Sequence, residues 1–329
     1  MGTLYLDRKG LEVTHHAGRL RLRTDGGPAQ DVPLALLERV VVTSAVRTDS
    51  SALGALAERG IGVLLLGPRS GERVAIVHGR PHQDARVRIG QMRLAQDPAW
   101  TLATARRLLA HKVRRQWRLL CQVRRQRADQ SRHLTKSIDT VYALLPALDQ
   151  AGDLATLRGL EGAAAAAHFR ALAGVMPPTL GFTARRRRPP PDPVNAALSL
   201  GYTLLHFEAV RSAYGAGLDP YIGFLHGLAF GRESLASDLI EPLRPRLDGW
   251  LWRLFAERTL RADHFHTEAG RCRLGKAGRQ AFFVAYEQFA APQRRALRHL
   301  CRRLAAAARA ACPAALTENP DGTEQDALP

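Results

Sequence analysis

Short apolar runs separated by Gly, Asp and Pro fill the first eighty residues, and each run is of strand length. Residues 3–7, 11–15, 19–23, 39–43, 61–66 and 73–77 are rich in Val, Leu and Ile and predict strands, with turn chemistry such as Asp25-Gly26-Gly27-Pro28 and Gly67-Pro68 between them. Residues 50–59 predict one helix, opened by serine and closed by Gly60. After Pro81 the period changes. Leu102, Leu109, Val113, Trp117, Leu120 and Val123 recur at roughly helical spacing between Trp100 and Arg127, with arginines at many of the other positions. Helical patterns continue over about 133–149, 153–175, 194–215, 234–262, 277–290 and 293–311. The expected architecture is α+β: a small N-terminal β-rich domain at 1–81, a linker or hinge at 82–98, and a large all-α domain at 99–312. The polar, Pro-containing, acidic stretch 313–329 predicts a disordered tail.

Charge changes the picture more than composition does. The formal net charge is +18, and arginine supplies nearly all of it, since Lys stands only at positions 9, 112, 136 and 276. A field of that size favours polyanionic partners and salt-sensitive binding, although a bias toward Arg and Ala would give the same composition. Cys121, Cys272, Cys301 and Cys312 show neither a CxxC nor a Cys/His zinc spacing, which excludes a disulfide framework and a structural zinc. The N-terminus lacks a signal-peptide layout, and the longest strongly apolar run, Ile61–Leu66, is too short to span a bilayer. A cytoplasmic protein with no membrane partner is expected.

Four residues then stand out as candidate chemistry. Glu161 precedes Gly162 and a run of five alanines, a smooth surface that lets another helix approach and leaves a carboxylate partly buried. An exposed glutamate paired with Arg158 is the alternative. His226 ends an apolar segment, where a histidine satisfied within the core is the common outcome. Asp238 and Glu241 lie three apart after Ser234, a plausible N-cap, and so share a helix face, where like charges repel unless a cation sits between them. Pro242 ends or kinks that helix. Three carboxylates and an imidazole suit Mg²⁺ or Mn²⁺, and in a basic protein they suggest phosphoryl transfer on DNA or RNA.

These residues carry a family resemblance. Gly223-Phe-Leu-His226 followed by Gly231-Arg232-Glu-Ser-Leu-Ala-Ser-Asp238-Leu-Ile-Glu241-Pro-Leu-Arg-Pro245 resembles the signature of the CRISPR spacer-acquisition integrase, the first CRISPR adaptation protein. Leu160-Glu161-Gly162 with Phe169, Pro193 through Tyr202, and Phe265 through Glu287 fit in order, so the likeness covers roughly residues 3–305. The resemblance implies an all-α catalytic domain with metal ligands Glu161, His226 and Glu241 and Asp238 beside them. It also implies a homodimer formed through the β domains, and a hetero-hexamer with the small ferredoxin-like second CRISPR adaptation protein. The implied reaction is attack by the 3′-hydroxyls of short duplex DNA fragments on the ends of CRISPR repeat DNA, by transesterification. Where the family's third ligand is often Asp, this chain has Glu241.

Charge and position add DNA-contact candidates. Arg185, Arg186, Arg187 and Arg188 occupy a presumed loop with the makings of a mobile backbone clamp. Arg232 and Arg244 lie near the metal candidates and can hold the scissile phosphate, or pair with Asp238 or Glu233. A non-catalytic nucleic-acid scaffold, and a stand-alone transposase or branched-DNA nuclease of the same family, are the rival readings.

Overall fold

The computed structural model describes residues 2–24, 26–67, 73–79 and 82–313. Apart from Pro313, the expected tail lies outside the described residues. Strands β1 (Gly2–Leu6), β5 (Leu37–Val42), β7 (Gly62–Leu66) and β8 (Arg73–Val77) form one sheet, in the order β1-β5-β7-β8. The first three run parallel and β8 antiparallel. Strands β2 (Leu11–His16), β3 (Arg19–Arg23), β4 (Gln30–Pro33) and β6 (Val46–Thr48) form a second, in the order β4-β3-β2-β6. Neither β4 nor β6 was legible from the pattern, because QDVP and VRT hold too few apolar residues to register as runs.

The two sheets share a core of Leu6, Val13, Leu20, Val40, Val42 and Val63, closed by Leu56 of helix α1 (Ser50–Glu58). Asp49 rather than a serine caps α1, accepting from the Ala52 amide at 2.7 Å. Alternate residues of the first sheet, Val41, Leu64 and Leu66, face the helical region instead. Both faces of this sheet are therefore covered, which explains the unbroken apolar runs of β5 and β7.

The helical region comprises α2 (Ala85–Gln96), α3 (Pro98–Gln126), α4 (Ser131–Gln150), α5 (Leu154–Val175), α6 (Pro193–Gly215), α7 (Ser234–Ile240), α8 (Arg244–Ala256) and α9 (Lys276–Ala311). Strands β9 (Phe265–Glu268) and β10 (Arg271–Leu274) form an antiparallel hairpin before α9. Helix α9 runs as one element through Pro292, where the pattern suggested two, because Tyr286, Ala290 and Leu297 on both sides of the proline bury in the same core. The expected helix at 234–262 is divided by a 3₁₀ turn at Glu241–Leu243. Among the described residues no helix is long and apolar enough to cross a membrane.

Residues 82–98 are not a linker. They hold α2, capped by Asp84, and Asp97 then caps α3 with Pro98 in its first turn. The buried face of α2 is Val87, Gly90 and Gln91, too small and polar to show an apolar stripe. Gly90 lies so close to α9 that a Cβ there would stand 1.7 Å from the Ala308 carbonyl oxygen. Gln91 is fully buried and holds the chain that follows α6: its amide donates to the Asp219 and Ile222 carbonyls at 2.9 and 2.8 Å and accepts from the Asp219 amide at 2.8 Å. Gln91→Leu would leave those three backbone groups unpaired, at about 1–3 kcal/mol each. The expected result is a melting temperature lower by about 5 °C or more in thermal denaturation; an unchanged value would mean that α2 is a dispensable hinge.

A buried ionic cluster joins the two regions. Arg39, 1% exposed, pairs with Glu208 at 3.3 Å and with Glu38, while Arg294 bonds Glu208 and Glu287 at 2.7 Å each. Tyr5 donates to Glu287 at 2.7 Å and stacks on Phe283. Buried charges of this kind must be mutually satisfied, so the cluster fixes how the first sheet meets α6 and α9.

Candidate metal centre

Asp238 organises the imidazole. It lies on α7 with no solvent exposure and accepts from the amides of Phe224, Leu225 and His226 at 2.6, 2.9 and 3.1 Å. Its Oδ1 also contacts His226 Nδ1 at 2.6 Å. A neutral ring that donates from Nδ1 carries its lone pair on Nε2, the arrangement of a metal-ligating histidine with a carboxylate behind it. Gly223 makes the close approach possible, since a Cβ there would meet Asp238 Oδ2 at 2.8 Å and the Ser234 backbone at 2.7 Å. Ser234 does not cap α7; its hydroxyl donates to the Gly227 carbonyl at 2.9 Å.

The other two carboxylates meet on a lysine. Glu161 projects from α5 and Glu241 from the 3₁₀ turn after α7, and both contact the ammonium of Lys112 on α3, Glu241 at 2.5 Å. Lys112 is 5% exposed. Arg244 pairs with the other Glu241 oxygen at 2.8 Å. Burial pushes the Glu241 carboxyl up, but the Arg244 guanidinium and the Lys112 ammonium outweigh it and hold the group down at about 2. Glu241 is therefore anionic at neutral pH. Arg158, the alternative partner for Glu161, instead donates to the Leu225 carbonyl at 3.0 Å. Behind Arg244, Tyr202 stacks under the guanidinium at 4.8 Å and donates to Asp248, whose second oxygen bonds His168 at 2.9 Å.

Among the described residues, no three acid, imidazole or thiol side chains close on one point as they stand. The chemistry of the donor set nonetheless fits a divalent ion. Two carboxylates already converge on a cation, the Lys112 ammonium, and Glu241 Oε2 is buried without a hydrogen bond of good geometry. The His226 ring, also within electrostatic reach of Glu241, has one nitrogen fixed by Asp238. Oxygen donors with one imidazole suit Mg²⁺ or Mn²⁺. Asp238 already receives three amides and the ring nitrogen, so both its oxygens are engaged within the protein.

The expected arginines divide into separate groups. Arg185 is anchored rather than mobile: it donates to Asn195 Oδ1 at 2.8 Å and Ser199 at 3.2 Å, and lies over the Tyr202 ring. Asn195 is fully buried and also receives the Arg186 amide, which pins the loop. Arg186, Arg187 and Arg188 have exposed side chains. Arg232 donates to the Gly227 carbonyl at 2.6 Å. Its expected partner Glu233 instead pairs with His206 at 2.7 Å. A cavity of about 540 Å³ beside Tyr202 and Arg244 is lined by Arg185, Arg187 and Arg188, and also by Arg271 and Arg273 of the hairpin. Sequence reasoning missed those hairpin arginines, and it missed Lys112, whose only signal was a lysine on the buried side of an arginine-rich helix between Leu109 and Val113.

Comparison with known proteins places the chain in a family. A family profile described as CRISPR associated protein Cas1 matches residues 4–288. A CRISPR-associated endonuclease Cas1 of Thermodesulfovibrio yellowstonii is 34% identical over 297 residues, 89% of this chain and 93% of that one. Solved structures share the fold. A casposase bound to integration product superposes with a TM-score of 0.82 at 18% identity, covering 94% of this chain and 91% of that one. A chain of a Cas6-RT-Cas1–Cas2 complex superposes with a TM-score of 0.81 at 22% identity, over 94% of this chain and 35% of that one.

Proposed function

We propose, for a chain that belongs to the Cas1 family of CRISPR-associated proteins, a divalent-metal-dependent DNA endonuclease and integrase that inserts short fragments into a CRISPR array. The observation that carries this reading is the convergence of Glu161 and Glu241, from separate elements, on one cation position beside an imidazole fixed by Asp238. Glu161, Glu241 and His226 Nε2 would hold Mg²⁺ or Mn²⁺. Once bound, the ion supplies Lewis-acid polarisation of the scissile phosphodiester.

The chain's own residues do the rest. Asp238 keeps the His226 ring turned so that Nε2 is the free nitrogen. Arg244, held over the Tyr202 ring, keeps one Glu241 oxygen in place while the other meets Lys112. The attacking group is a 3′-hydroxyl of a short duplex and the leaving group is the 3′-oxygen at the cleaved repeat end. One phosphodiester is exchanged for another, which requires neither ATP nor a covalent protein intermediate. A homodimer formed through the β domains, joined by the small second adaptation protein, would present two such centres to one fragment. The casposase of like fold is bound to an integration product, and the Cas1–Cas2 assembly contains a chain of like fold, which supports both parts of the reading. A chromosomal target implies the cytoplasm.

The test is incubation of a labelled duplex with supercoiled repeat DNA, the small partner protein and Mg²⁺ or Mn²⁺. Strand-transfer products at the repeat ends are expected. No product under any of these conditions would overturn the enzyme reading, and equal product without the partner would favour a stand-alone transposase. Arg186, Arg187 and Arg188 are expected to act on the DNA backbone. Replacing all three with Ala should weaken duplex binding similarly for unrelated sequences and reduce the slope of log affinity against log salt by about two to three. An unchanged slope in a salt titration would make the loop a spectator.

A further inference from the structure

Lys112 marks the cation position in the reading above but is given no role of its own there, yet it occupies the centre of the site. Burying an ammonium is costly, and a lysine at 5% exposure is tolerated here because two carboxylates meet it. Its position on α3 is fixed by neighbours on the same buried face, among them Leu109, Val113 and Gln116. With Arg244 on the outer oxygen of Glu241, the four groups Glu161, Glu241, Lys112 and Arg244 cancel in charge. This set of four is thus neutral by itself. A divalent ion added to this set would bring two positive charges next to two cations, of which Lys112 is buried. The ion fits only if the lysine leaves the carboxylates, and it gains most when a DNA phosphate supplies negative charge beside it.

We propose that Lys112 is a resident counter-cation that holds Glu161 and Glu241 together and keeps divalent metal out until a DNA phosphate arrives, when its ammonium turns from the carboxylates to that phosphate. The proposal rests on the metal-ligand reading of Glu161 and Glu241. Lys112 is then a positioning residue for both ion and substrate, and metal and DNA must each raise the other's affinity by the same factor.

The experiment measures Mn²⁺ binding by the paramagnetic resonance signal of the free ion, using the full chain with and without a duplex that lacks a reactive 3′-hydroxyl. In the unaltered protein, Mn²⁺ binding is expected to be weak alone and to tighten by about tenfold or more with duplex, a difference of about 1.4 kcal/mol. Independence of Mn²⁺ affinity from DNA would overturn the proposal without any variant. Lys112→Met is expected to bind Mn²⁺ about tenfold or more tightly without DNA and to lose most of the DNA effect, whereas Lys112→Arg stays weak and DNA-dependent. Should Lys112→Met fail to fold by circular dichroism, Lys112→Gln serves in its place. Equal or weaker Mn²⁺ binding by the folded neutral variant contradicts the proposal. Glu161→Gln and Glu241→Gln separate this from a failure of the underlying reading: both must weaken Mn²⁺ binding, and if neither does, the metal centre itself is misassigned.

Discussion

Glu241→Gln is expected to reduce metal-dependent strand cleavage and transfer by about a thousandfold or more, the loss of roughly 4 kcal/mol of transition-state stabilisation. Duplex binding should stay within about twofold, because Glu241 is 5% exposed and its carboxylate is held by Lys112 and Arg244. Glutamine is preferred to alanine for a physical reason. Removing the whole side chain leaves the Lys112 and Arg244 cations facing a buried void, and breaking a buried pair from one side costs about 3–5 kcal/mol. Quantified gel assays of cleavage and integration, with melting temperature measured in parallel, check the result. Turnover within tenfold of the unaltered protein would remove Glu241 from the centre. The Glu241 carboxylate is placed by the Arg244 ion pair, which fixes one oxygen and leaves the other turned inward.

Asp238→Asn should be almost as damaging by a different route. The carboxylate receives three backbone amides and the His226 Nδ1. An asparagine amide nitrogen would set donor against donor on one side of that cluster, and each buried N–H left unpaired costs about 1–3 kcal/mol. Two effects are expected together: a melting temperature lower by about 5 °C or more, and a metal affinity lower by about 10- to 100-fold as the imidazole loses its fixed orientation. Activity falls with the affinity and is partly restored at high metal concentration, which distinguishes this residue from Glu241. Full activity at low metal would show that the Asp238–His226 contact is structural only.

The sequence made the candidate residues legible and their partners much less so. Glu161, His226, Asp238 and Glu241 could be picked out because local motifs carry them, and all four lie in the same part of the helical region. The spacing of Asp238 and Glu241 suggested one shared helix face. In the structure α7 ends between them, Glu241 lies in a 3₁₀ turn, and the two carboxylates serve different partners. Lys112 was hidden because its meaning depends on α3 packing against α5 and that turn, contacts that no local pattern encodes. Helix α2 was read as a linker because its buried face is a glycine and a glutamine, residues that signal packing only when the partner helix is known. Arg185 looked like part of a free charge run, but Asn195 and Tyr202 hold it from the adjoining helix. The strand pattern did better, since alternation in β2 and β3 and unbroken runs in β5 and β7 each follow from how many faces are covered.

The most direct measurement is anomalous scattering from crystals of the protein bound to a 3′-hydroxyl duplex and soaked in Mn²⁺. One peak is expected within about 2.0–2.3 Å of a Glu161 oxygen, a Glu241 oxygen and His226 Nε2, with Asp238 still on Nδ1 and Lys112 withdrawn. An intact Glu161–Lys112–Glu241 bridge at saturating Mn²⁺, with no peak among these three residues, would contradict the assignment of a metal-dependent centre.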